Sequence, residues 1–261
     1  MGGSTGGKPP APGPRAPVDG AASGPSRELP ETDYNAYLEI YGGKTVPFRF
    51  RGRDLRFTLS LGLFSSADID RGTRLLLKVL SRLLDEGGAS PPRRILDCGC
   101  GAGIIGVCAA RALLPPPGKG AVRGARAESP LVRCQDRDEL ARIVTQGNAA
   151  LNGLDSSVLR AYTEPLLSGD PGGGWDLILS NIPAKAGEPV LDDFIRRSPA
   201  LLAPAGRALI VVVAPLADFF RRRLAAAGVS LMGEEQGPEH RVLVYGAGGG
   251  RGRAAIPGGP A

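Results

Sequence analysis

No apolar run in the 261-residue sequence is long enough to span a lipid bilayer. The first residues, MGGSTGGKPPAPGP, also lack the apolar stretch that a secretory signal needs. Both observations favour a cytoplasmic protein without a membrane-spanning segment.

Cysteine is scarce and poorly spaced for disulfide or metal chemistry. The four cysteines, Cys98, Cys100, Cys108 and Cys134, do not suggest a disulfide framework in a chain of this length. Structural zinc sites use paired C-x-x-C spacing, which the sequence lacks. All four residues lie in or beside apolar stretches, where a free cysteine behaves as a small hydrophobic residue. We expect buried thiols and no metal site.

Histidine is nearly absent as well. His240 is the single histidine, and its place beside the last predicted strand is more typical of a structural residue than of a catalyst. Basic residues, in contrast, exceed acidic ones, with a net charge of +6 and a pI near 9.4. This balance favours an anionic partner such as nucleic acid, although a modest basic excess is also common among ordinary soluble proteins.

The two ends of the chain differ in composition from its middle. Residues 1–30 contain seven glycines and seven prolines, and they bury too little surface to offset the entropy of ordering, so we predict disorder there. Residues 246–261 (GAGGGRGRAAIPGGPA) predict a flexible tail, whose Arg-Gly repeats could also contact RNA. Between them we predict an N-terminal strand pair and helix over residues 31–88 and a main domain over residues 89–245. A polar loop interrupts the main domain at residues 115–129.

Strands and helices alternate between these ends. Phe48 and Phe50 alternate with arginines, as in a half-buried strand, and the leucines of residues 69–84 recur at helical spacing. Alternation of apolar strands with helices predicts an α/β domain with a doubly wound, mainly parallel sheet covered on both faces. The predicted strands are a pair within 44–61, then 94–97, 131–135, 158–163, 176–180, 208–213 and 241–245; the predicted helices are 69–84, 103–114, 139–151, 191–202 and 216–227.

The most informative segment is ILDCGCGAGIIG at residues 95–106, which joins a predicted strand to a predicted helix. In a doubly wound sheet, ligands bind outside the carboxyl ends of the strands where the strand order reverses. Glycine permits positive φ angles and lets a ligand approach the backbone closely. Asp97 at the strand tip can accept a hydrogen bond from a cationic amino group, and Asp136 after the next strand can accept from both hydroxyls of a ribose. The pattern therefore predicts a nucleoside cofactor.

A dinucleotide is the competing interpretation, because residues 101–106 satisfy G-x-G-x-x-G. Asp97, however, closely precedes these glycines and would face a pyrophosphate unfavourably. Asp136 also follows at more than the usual distance of ~20 residues, although the inserted loop could account for this. The sequence leaves no second domain to hold a hydride acceptor. A third interpretation is that the glycine turn binds no ligand and serves only the packing of the strand against the helix.

The string ILDCGCGAG, with an acid after the second strand, resembles class I S-adenosylmethionine-dependent methyltransferases. Segment 64–77 (FSSADIDRGTRLLL) and the closing EHRVLVY at 239–245 are similar to the small methyltransferase group, which includes ribosomal RNA guanine exocyclic-amine methyltransferases. The resemblance extends over residues 41–245. After the second strand, the family pattern is matched by Asp136, Ala141, Asn148, Asn152 and Gly153.

This resemblance implies S-adenosylmethionine as cofactor and assigns residues to its parts. The methionine end would be lined by the tip of the first strand and the turn after it, at Asp97, Gly99, Cys100, Gly101 and Gly103. The ribose would lie against Asp136, and the adenine ring against Glu164, where a solvated turn is the alternative.

The resemblance also implies the residues that act on the substrate, and here the sequence departs from the family. Members that methylate exocyclic amines carry Asn-Pro-Pro-aromatic after the fourth strand, where the Asn side-chain oxygen and the next backbone carbonyl accept the two amine hydrogens. This chain has Asn181 and Pro183 as candidate catalytic residues, and Asn181 would also contact the cofactor. Ile182, however, replaces the first proline, and Ala184 replaces the stacking aromatic. Base–aromatic stacking contributes ~1–3 kcal/mol.

Other residues could compensate for the missing ring. Phe64 or Phe194 could supply one, and Lys185 could meet a phosphate or carboxylate of the substrate. Arginines at positions 49, 51, 53 and 56, with three more at 221–223, could follow an RNA backbone or form ordinary solvated faces.

The expected function is methyl transfer to a nitrogen of an RNA base, with ribosomal RNA guanine favoured. The alternatives are a methyltransferase acting on protein or a small molecule, and a non-catalytic nucleic-acid-binding module that retains the fold.

Overall fold

The computed structural model describes residues 36, 39–64, 66–87, 90–115, 130–168 and 173–247. The predicted disorder of residues 1–30, nearly all of the predicted loop at 115–129 and the tail beyond residue 247 lie outside these ranges.

Seven strands form the central sheet: β3 (Arg94–Cys98), β4 (Leu131–Asp136), β5 (Leu159–Thr163), β6 (Trp175–Asn181), β7 (Leu202–Val213), β8 (Leu231–Gln236) and β9 (His240–Gly246). Their order is β5-β4-β3-β6-β7-β9-β8. The strands from β5 to β7 run parallel, whereas β9 is antiparallel to both β7 and β8. The chain leaves β3 in one direction toward β5 and later returns to its other side at β6, so the strand order reverses beside β3.

An antiparallel hairpin of β1 (Gly42–Phe50) and β2 (Arg53–Ser60) precedes this sheet. The two loop residues, Arg51 and Gly52, both have positive φ angles, 46° and 72°, as a tight two-residue hairpin turn requires. The Arg51 guanidinium donates to the carbonyl oxygen of Ser81 at 2.7 Å and pairs with Asp85 at 2.7 Å. These contacts hold a non-glycine residue in the left-handed region and tie the hairpin to the next helix.

Helices cover both faces of the sheet: α1 (Arg71–Asp85), α2 (Ile104–Leu113), α3 (Glu139–Leu151), α4 (Glu188–Leu201) and α5 (Ala214–Ala226). Side chains alternate along β7, so that Leu209 and Val211 pack on one face while Ala208 and Ile210 pack on the other. The hairpin, α1, α2 and α3 share the first of these cores, and α4 and α5 share the second.

The predicted α/β architecture and mainly parallel sheet are confirmed. One strand, β8, was not predicted, because its residues LMGEEQ lie at the sheet edge, half-buried or exposed, and show no apolar alternation. Two elements differ most from the predicted starts: α4 begins at Glu188, since Pro189 is tolerated in a first helical turn, and β7 begins at Leu202. Among the described residues, no helix is both long and apolar enough to cross a membrane.

Candidate active site

The glycine turn, residues 98–103, follows β3 at the point where the strand order reverses. Gly99, Gly101 and Gly103 have φ angles of 67°, 54° and 74°, a left-handed region that only glycine adopts routinely. A Cβ atom at Gly103 would lie 2.6 Å from Cγ2 of Thr145, whereas one at Gly101 would meet no atom of the described residues within 4 Å. Gly103 is therefore required for packing, and Gly101 borders open space.

Asp97 is fully buried at the end of β3. Its Oδ2 accepts the backbone N–H of Gly106 at 2.8 Å, which ties the strand to the first turn of α2. Its Oδ1 has no hydrogen-bond partner among the described residues. Burial raises the pKa of Asp97 to about 7, against the opposing effect of the Gly106 hydrogen bond and with a smaller contribution from the charge of Asp136.

Asp136, at the end of the neighbouring strand β4, contacts the same turn. Its Oδ2 accepts the backbone N–H of Gly101 at 3.0 Å, and its Oδ1 accepts that of Asp138 at 3.1 Å. The preceding carbonyl, that of Gln135, accepts the N–H groups of Gly99 and Cys100 at 2.8 and 3.1 Å. The structure thus brings the predicted ribose-binding acid against the predicted glycine turn.

Helix α3 holds the turn from the other side, through residues whose roles the sequence did not reveal. Thr145 Oγ1 donates to the carbonyl oxygen of Gly101 at 3.0 Å. The buried Asn148 donates from Nδ2 to the carbonyl oxygens of Ala102, at 2.8 Å, and Thr58, at 3.0 Å, and its Oδ1 accepts the N–H of Thr58 at 2.8 Å. One turn later Asn152 bonds both backbone groups of Arg56. The two asparagines therefore pair with the β2 backbone as a neighbouring strand would.

Glu164 lies beside Asp136, because its backbone N–H donates to the Asp136 carbonyl oxygen at 2.7 Å. Its carboxylate accepts from Nη2 of Arg133 at 2.6 Å, and the Arg133 guanidinium lies 3.7 Å from the centroid of the Tyr162 ring. The structure thus places Glu164 next to the predicted ribose position, with one oxygen in an ion pair.

Asn181 ends β6, on the other side of β3 from Asp136. Its Nδ2 donates to Oδ1 of Asp70 at 3.0 Å and to Oγ1 of Thr73 at 3.0 Å. Both partners belong to the start of α1, where Asp70 also caps the helix by accepting the Thr73 N–H at 2.9 Å. This contact is not predictable from the sequence, because its partners are 108 and 111 residues apart along the chain.

The segment after Asn181, where the sequence departs from the family pattern, is buried at its start and exposed further on. Ile182, in place of the first proline, is buried in the core beneath α4 and α5. Pro183 has a φ of −67° and precedes a short 3₁₀ turn, Ala184–Ala186, from which Lys185 is exposed. Ile182 therefore serves packing, and Lys185 is available to solvent or a substrate.

The two rings considered as replacements for the missing aromatic have opposite environments. Phe194 is 0% exposed within the core, so it cannot stack on a base, whereas Phe64 is 65% exposed. Phe64 lies between Gly62, which packs against Leu140 at the start of α3, and Asp70, which contacts Asn181. The described residues 61–64 and 66–70 therefore connect the α3 side to the Asn181 side at the carboxyl-terminal end of the strands, where the glycine turn also lies.

The four cysteines are free and buried, as predicted. Cys100 Sγ lies 3.4 Å from Oγ1 of Thr145 inside the glycine turn. In the described parts of the chain, no group of His, Cys, Asp or Glu side chains is arranged to hold a metal ion.

The sequence profile of the methyltransferase small domain matches residues 54–220, more than half of the chain. The chain belongs to the methyltransferase small-domain family. The expected methyltransferase identity is thereby confirmed.

Related proteins differ in what their names say they modify. YbxB of Bacillus subtilis, an uncharacterized protein, is 30% identical over 170 residues, covering 65% of this chain and 74% of YbxB. A ribosomal RNA small subunit methyltransferase C from Chromohalobacter salexigens is 31% identical over 167 residues, covering 62% of this chain and 43% of that protein. A ribosomal protein L11 methyltransferase from Syntrophotalea carbinolica is 32% identical over 154 residues, covering 59% and 42%. The chain spans less than half the length of these two named methyltransferases.

Solved structures share the fold. The T. thermophilus 16S rRNA methyltransferase RsmC, in complex with AdoMet and guanosine, has a TM-score of 0.61 at 20% identity, covering 78% of this chain and 50% of that chain. A ribosomal protein L11 methylase from Lactobacillus delbrueckii subsp. bulgaricus has a TM-score of 0.56 at 21% identity, covering 73% and 84%.

Three features of this methyltransferase fit S-adenosylmethionine. Among the described residues, Asp97 Oδ1 is an acceptor without a partner, and a Cβ at Gly101 would meet no atom within 4 Å. The Asp136 carboxylate accepts only single backbone bonds at each oxygen among the described residues, which leaves lone pairs for hydroxyl donors.

A basic hollow of about 650 Å³ lies at the far end of α2, lined by residues 51–56, Arg111, Leu151 and Asn152. Within the described chain, Arg53, Arg56 and Arg111 form no ion pair with a carboxylate, and Nε of Arg111 is buried without a hydrogen-bond partner. Burial and the nearby charge of Arg53 lower the pKa of Arg111. Arg53 also donates to the carbonyl oxygen of Leu114 at 2.5 Å, so one of its N–H groups caps the C-terminal end of α2.

Proposed function

We propose that this protein transfers a methyl group from S-adenosylmethionine to a nitrogen of an RNA base, with the exocyclic amine of a ribosomal RNA guanine as the favoured target. The observation that carries the proposal is the amide of Asn181, whose Nδ2 is bonded to Asp70 and Thr73. Its oxygen is therefore the atom left to accept a hydrogen from a substrate. The names of two relatives, a ribosomal RNA methyltransferase and the guanosine complex of RsmC, support an RNA target.

The cofactor half of the proposed site uses the residues that the sequence predicted. We assign the methionine end to Asp97, Gly99, Cys100, Gly101 and Gly103, where the turn backbone is open at Gly101. Asp136 would accept from the ribose hydroxyls, and Glu164 beside it would meet the adenine ring.

S-adenosylmethionine supplies, when bound, an electrophilic methyl group on a sulfonium centre. In the proposed reaction Asn181 Oδ1 and the backbone carbonyl that follows it accept the two hydrogens of the amine. These contacts direct the nitrogen lone pair toward the methyl carbon, and Pro183 stiffens the backbone that holds them. The nitrogen–carbon bond forms as the carbon–sulfur bond breaks, and one amine proton passes to water.

Recognition of the base would use a different ring from the family's. Phe64 is exposed in the segment next to Asp70, and we assign the stacking role to it. The basic hollow formed by Arg53, Arg56 and Arg111 would bind phosphates of the RNA backbone outside the site, because these guanidinium groups have no carboxylate partner among the described residues. Lys185 would meet a phosphate nearer the base. A cytoplasmic location belongs to this proposal, since ribosomes are assembled and act there.

Methyl transfer to a protein is the second candidate. It is favoured by the similarity to a ribosomal protein L11 methyltransferase and by the alanine at position 184, where base stacking would call for an aromatic ring. An amine or amide of a protein could use the Asn181 oxygen in the same way.

The deciding experiment incubates the purified protein and radiolabelled S-adenosylmethionine with ribosomal RNA, ribosomal protein and small-metabolite fractions. We expect label in RNA, at a guanine nitrogen after nuclease digestion, and none with the Asn181→Ala variant. Label confined to protein would overturn the proposal of an RNA target. Failure to bind the cofactor below millimolar concentration would overturn the proposed methyltransferase activity.

A further inference from the structure

The start of α1 and the end of β6 meet in a closed set of hydrogen bonds. Asp70 Oδ1 accepts from the Thr73 backbone N–H at 2.9 Å and from Asn181 Nδ2 at 3.0 Å, while Thr73 Oγ1 accepts from the same Nδ2 at 3.0 Å. Thr73 is 5% exposed, and Asp70 is held as the N-cap of a fifteen-residue helix. Helix capping alone accounts for the first of these bonds and leaves the two to Asn181 unexplained.

These two acceptors use both N–H donors of the Asn181 amide. Rotating the amide by half a turn would place its oxygen against the Asp70 carboxylate and the Thr73 hydroxyl. Because the Thr73 hydroxyl can also donate, the rotated amide would lose the hydrogen bond to Asp70 and bring an oxygen dipole against its negative charge, so that orientation is disfavoured. The amide therefore keeps its oxygen, an acceptor, toward the substrate side.

We infer that Asp70 and Thr73 are positioning residues that fix the Asn181 amide as an acceptor and so restrict the enzyme to targets that carry N–H hydrogens. This inference rests on the proposed function, and it deepens it by naming the two residues that orient the acceptor of that site. A site whose polar edge accepts but does not donate leaves the wrong substrates with unpaired oxygens, which is an effective basis for rejection.

The contact also couples the substrate side of the pocket to the first helix. α1 packs against β7, β9 and α2, and through Arg51 it is tied to the hairpin end. Thr73 thus transfers the rigidity of this helix to a side chain at the end of a strand. Preorganisation of this kind lowers the cost of orienting the acceptor during the reaction.

The test compares conservative variants that differ mainly in the hydrogen bonds they can make to Asn181. Thr73→Val removes the hydroxyl from a buried site, Thr73→Ser restores it, and Asp70→Asn removes the charge while keeping an oxygen for the helix cap. Asp68→Asn is the matched control, since Asp68 pairs with Arg74 at the same helix start but has no hydrogen bond to Asn181. All are assayed with labelled S-adenosylmethionine and whichever fraction the wild-type protein labels.

We expect Thr73→Val to lower kcat by about 10-fold or more, the effect of one lost hydrogen bond of ~1.4 kcal/mol, with the Kd for S-adenosylmethionine unchanged. Thr73→Ser should recover most of the wild-type kcat, and Asp68→Asn should keep the wild-type kcat. The kcat of Asp70→Asn should lie between those of the wild type and Thr73→Val. Inosine lacks the amine and can only bind, so if RNA guanine is the target, the binding preference for guanosine over inosine should be smaller in Thr73→Val than in the wild type.

A purely structural role would instead lower the melting temperature and cofactor affinity together, and Thr73→Val would then resemble Asp68→Asn in rate. Either result overturns the inference, as does an unchanged kcat in folded Thr73→Val. If Thr73→Val does not fold, the rates of Asp70→Asn and Thr73→Ser decide by the same criteria. The fraction that the wild-type protein labels tests the RNA proposal, whereas the kcat values of the variants test this inference. Failure of the one can therefore be distinguished from failure of the other.

Discussion

Asp97 and Gly106 are joined by a hydrogen bond of 2.8 Å from the Gly106 N–H to Oδ2 of a fully buried carboxyl group. The bond closes the passage from β3 into α2, and a Cβ at Gly106 would lie 2.4 Å from Cys134 Sγ and 3.1 Å from that Oδ2. The glycine at this position is therefore as necessary for the turn as the three with positive φ. Burial leaves the carboxyl group with a pKa of about 7, which has consequences for stability and for cofactor binding.

The raised pKa of Asp97 predicts a fall in stability as the pH rises. Its usual value is 3.8 and its folded value is about 7, so between these the folded protein holds a proton that the unfolded chain releases. The free energy of unfolding should therefore decrease from pH 4 to 7 by roughly 2–4 kcal/mol and level off above pH 7. Urea denaturation across this range measures it. Asp97→Asn should remove most of this slope, and an equal slope in the variant would contradict the assignment.

If the ammonium group of the cofactor interacts with Asp97, binding should favour the ionised form of that carboxyl group. Affinity for S-adenosylmethionine should then rise as the pH increases through about 7, with release of a proton on binding. Calorimetry near pH 6.5 in buffers of different ionisation enthalpy detects that proton. Binding without proton release in the wild type would show that Asp97 only holds the turn.

Two glycines of the turn should respond differently to alanine. Gly103→Ala should lose the most stability, because its Cβ would overlap Thr145 in addition to the left-handed strain. Gly101→Ala should lose only about 1–2 kcal/mol from that strain, yet weaken cofactor binding strongly. Gly153→Ala is the matched control, with a φ of 67° and no atom within 4 Å of its Cβ position. Comparable cofactor affinity in the variants at 101 and 153 would exclude the proposed close approach at Gly101.

Asn148→Ala should destabilise the protein by about 3 kcal/mol, because it leaves three backbone groups without partners, two at the half-buried Thr58 and one at the buried Ala102. Asn152→Ala should cost about 1 kcal/mol, since the Arg56 backbone that it bonds is near solvent. Chemical denaturation of both variants measures the difference. Equal losses would indicate that the β2 edge, rather than the glycine turn, is what Asn148 stabilises.

Phe64→Ala should lower the affinity for substrate RNA by about 10-fold, the value of one lost base–aromatic contact, and leave the melting temperature unchanged. Phe64→Tyr should retain the affinity, because it keeps the ring. Filter binding and thermal denaturation separate these effects. An unaltered affinity in Phe64→Ala would mean that the base is held without this ring.

The basic hollow should contribute to RNA affinity through charge. Arg56→Gln should weaken binding uniformly across RNA sequences and reduce the slope of log affinity against log salt by about 1. Arg196→Gln is the matched control, because Arg196 pairs with Asp193 on α4, across the sheet from the hairpin. The same change of slope in both variants would show a general effect of net charge and would contradict a phosphate-binding site in the basic hollow.

Local features of the chain were predictable because short segments encode them. The left-handed glycines at 99, 101 and 103 and the acids at the ends of β3 and β4 follow from spacing within a few residues. The strand β8 was missed, since an edge strand with glutamates on it needs no apolar alternation. The choice between Phe64 and Phe194 also required the structure, because both rings have the same chemistry and only burial distinguishes them.

The sequence by itself determined the order of the strands and helices other than β8, the glycine turn, and the departure of residues 182 and 184 from the family pattern. Each depends on residue periodicity or on the identity of neighbouring residues. Only the tertiary structure decided that Asn181 bonds to Asp70 and Thr73, which lie 111 and 108 residues earlier, and that Asn148 joins the glycine turn to the hairpin. Such contacts depend on which strands are adjacent and in what register, and a polar side chain carries no signal of its distant partner.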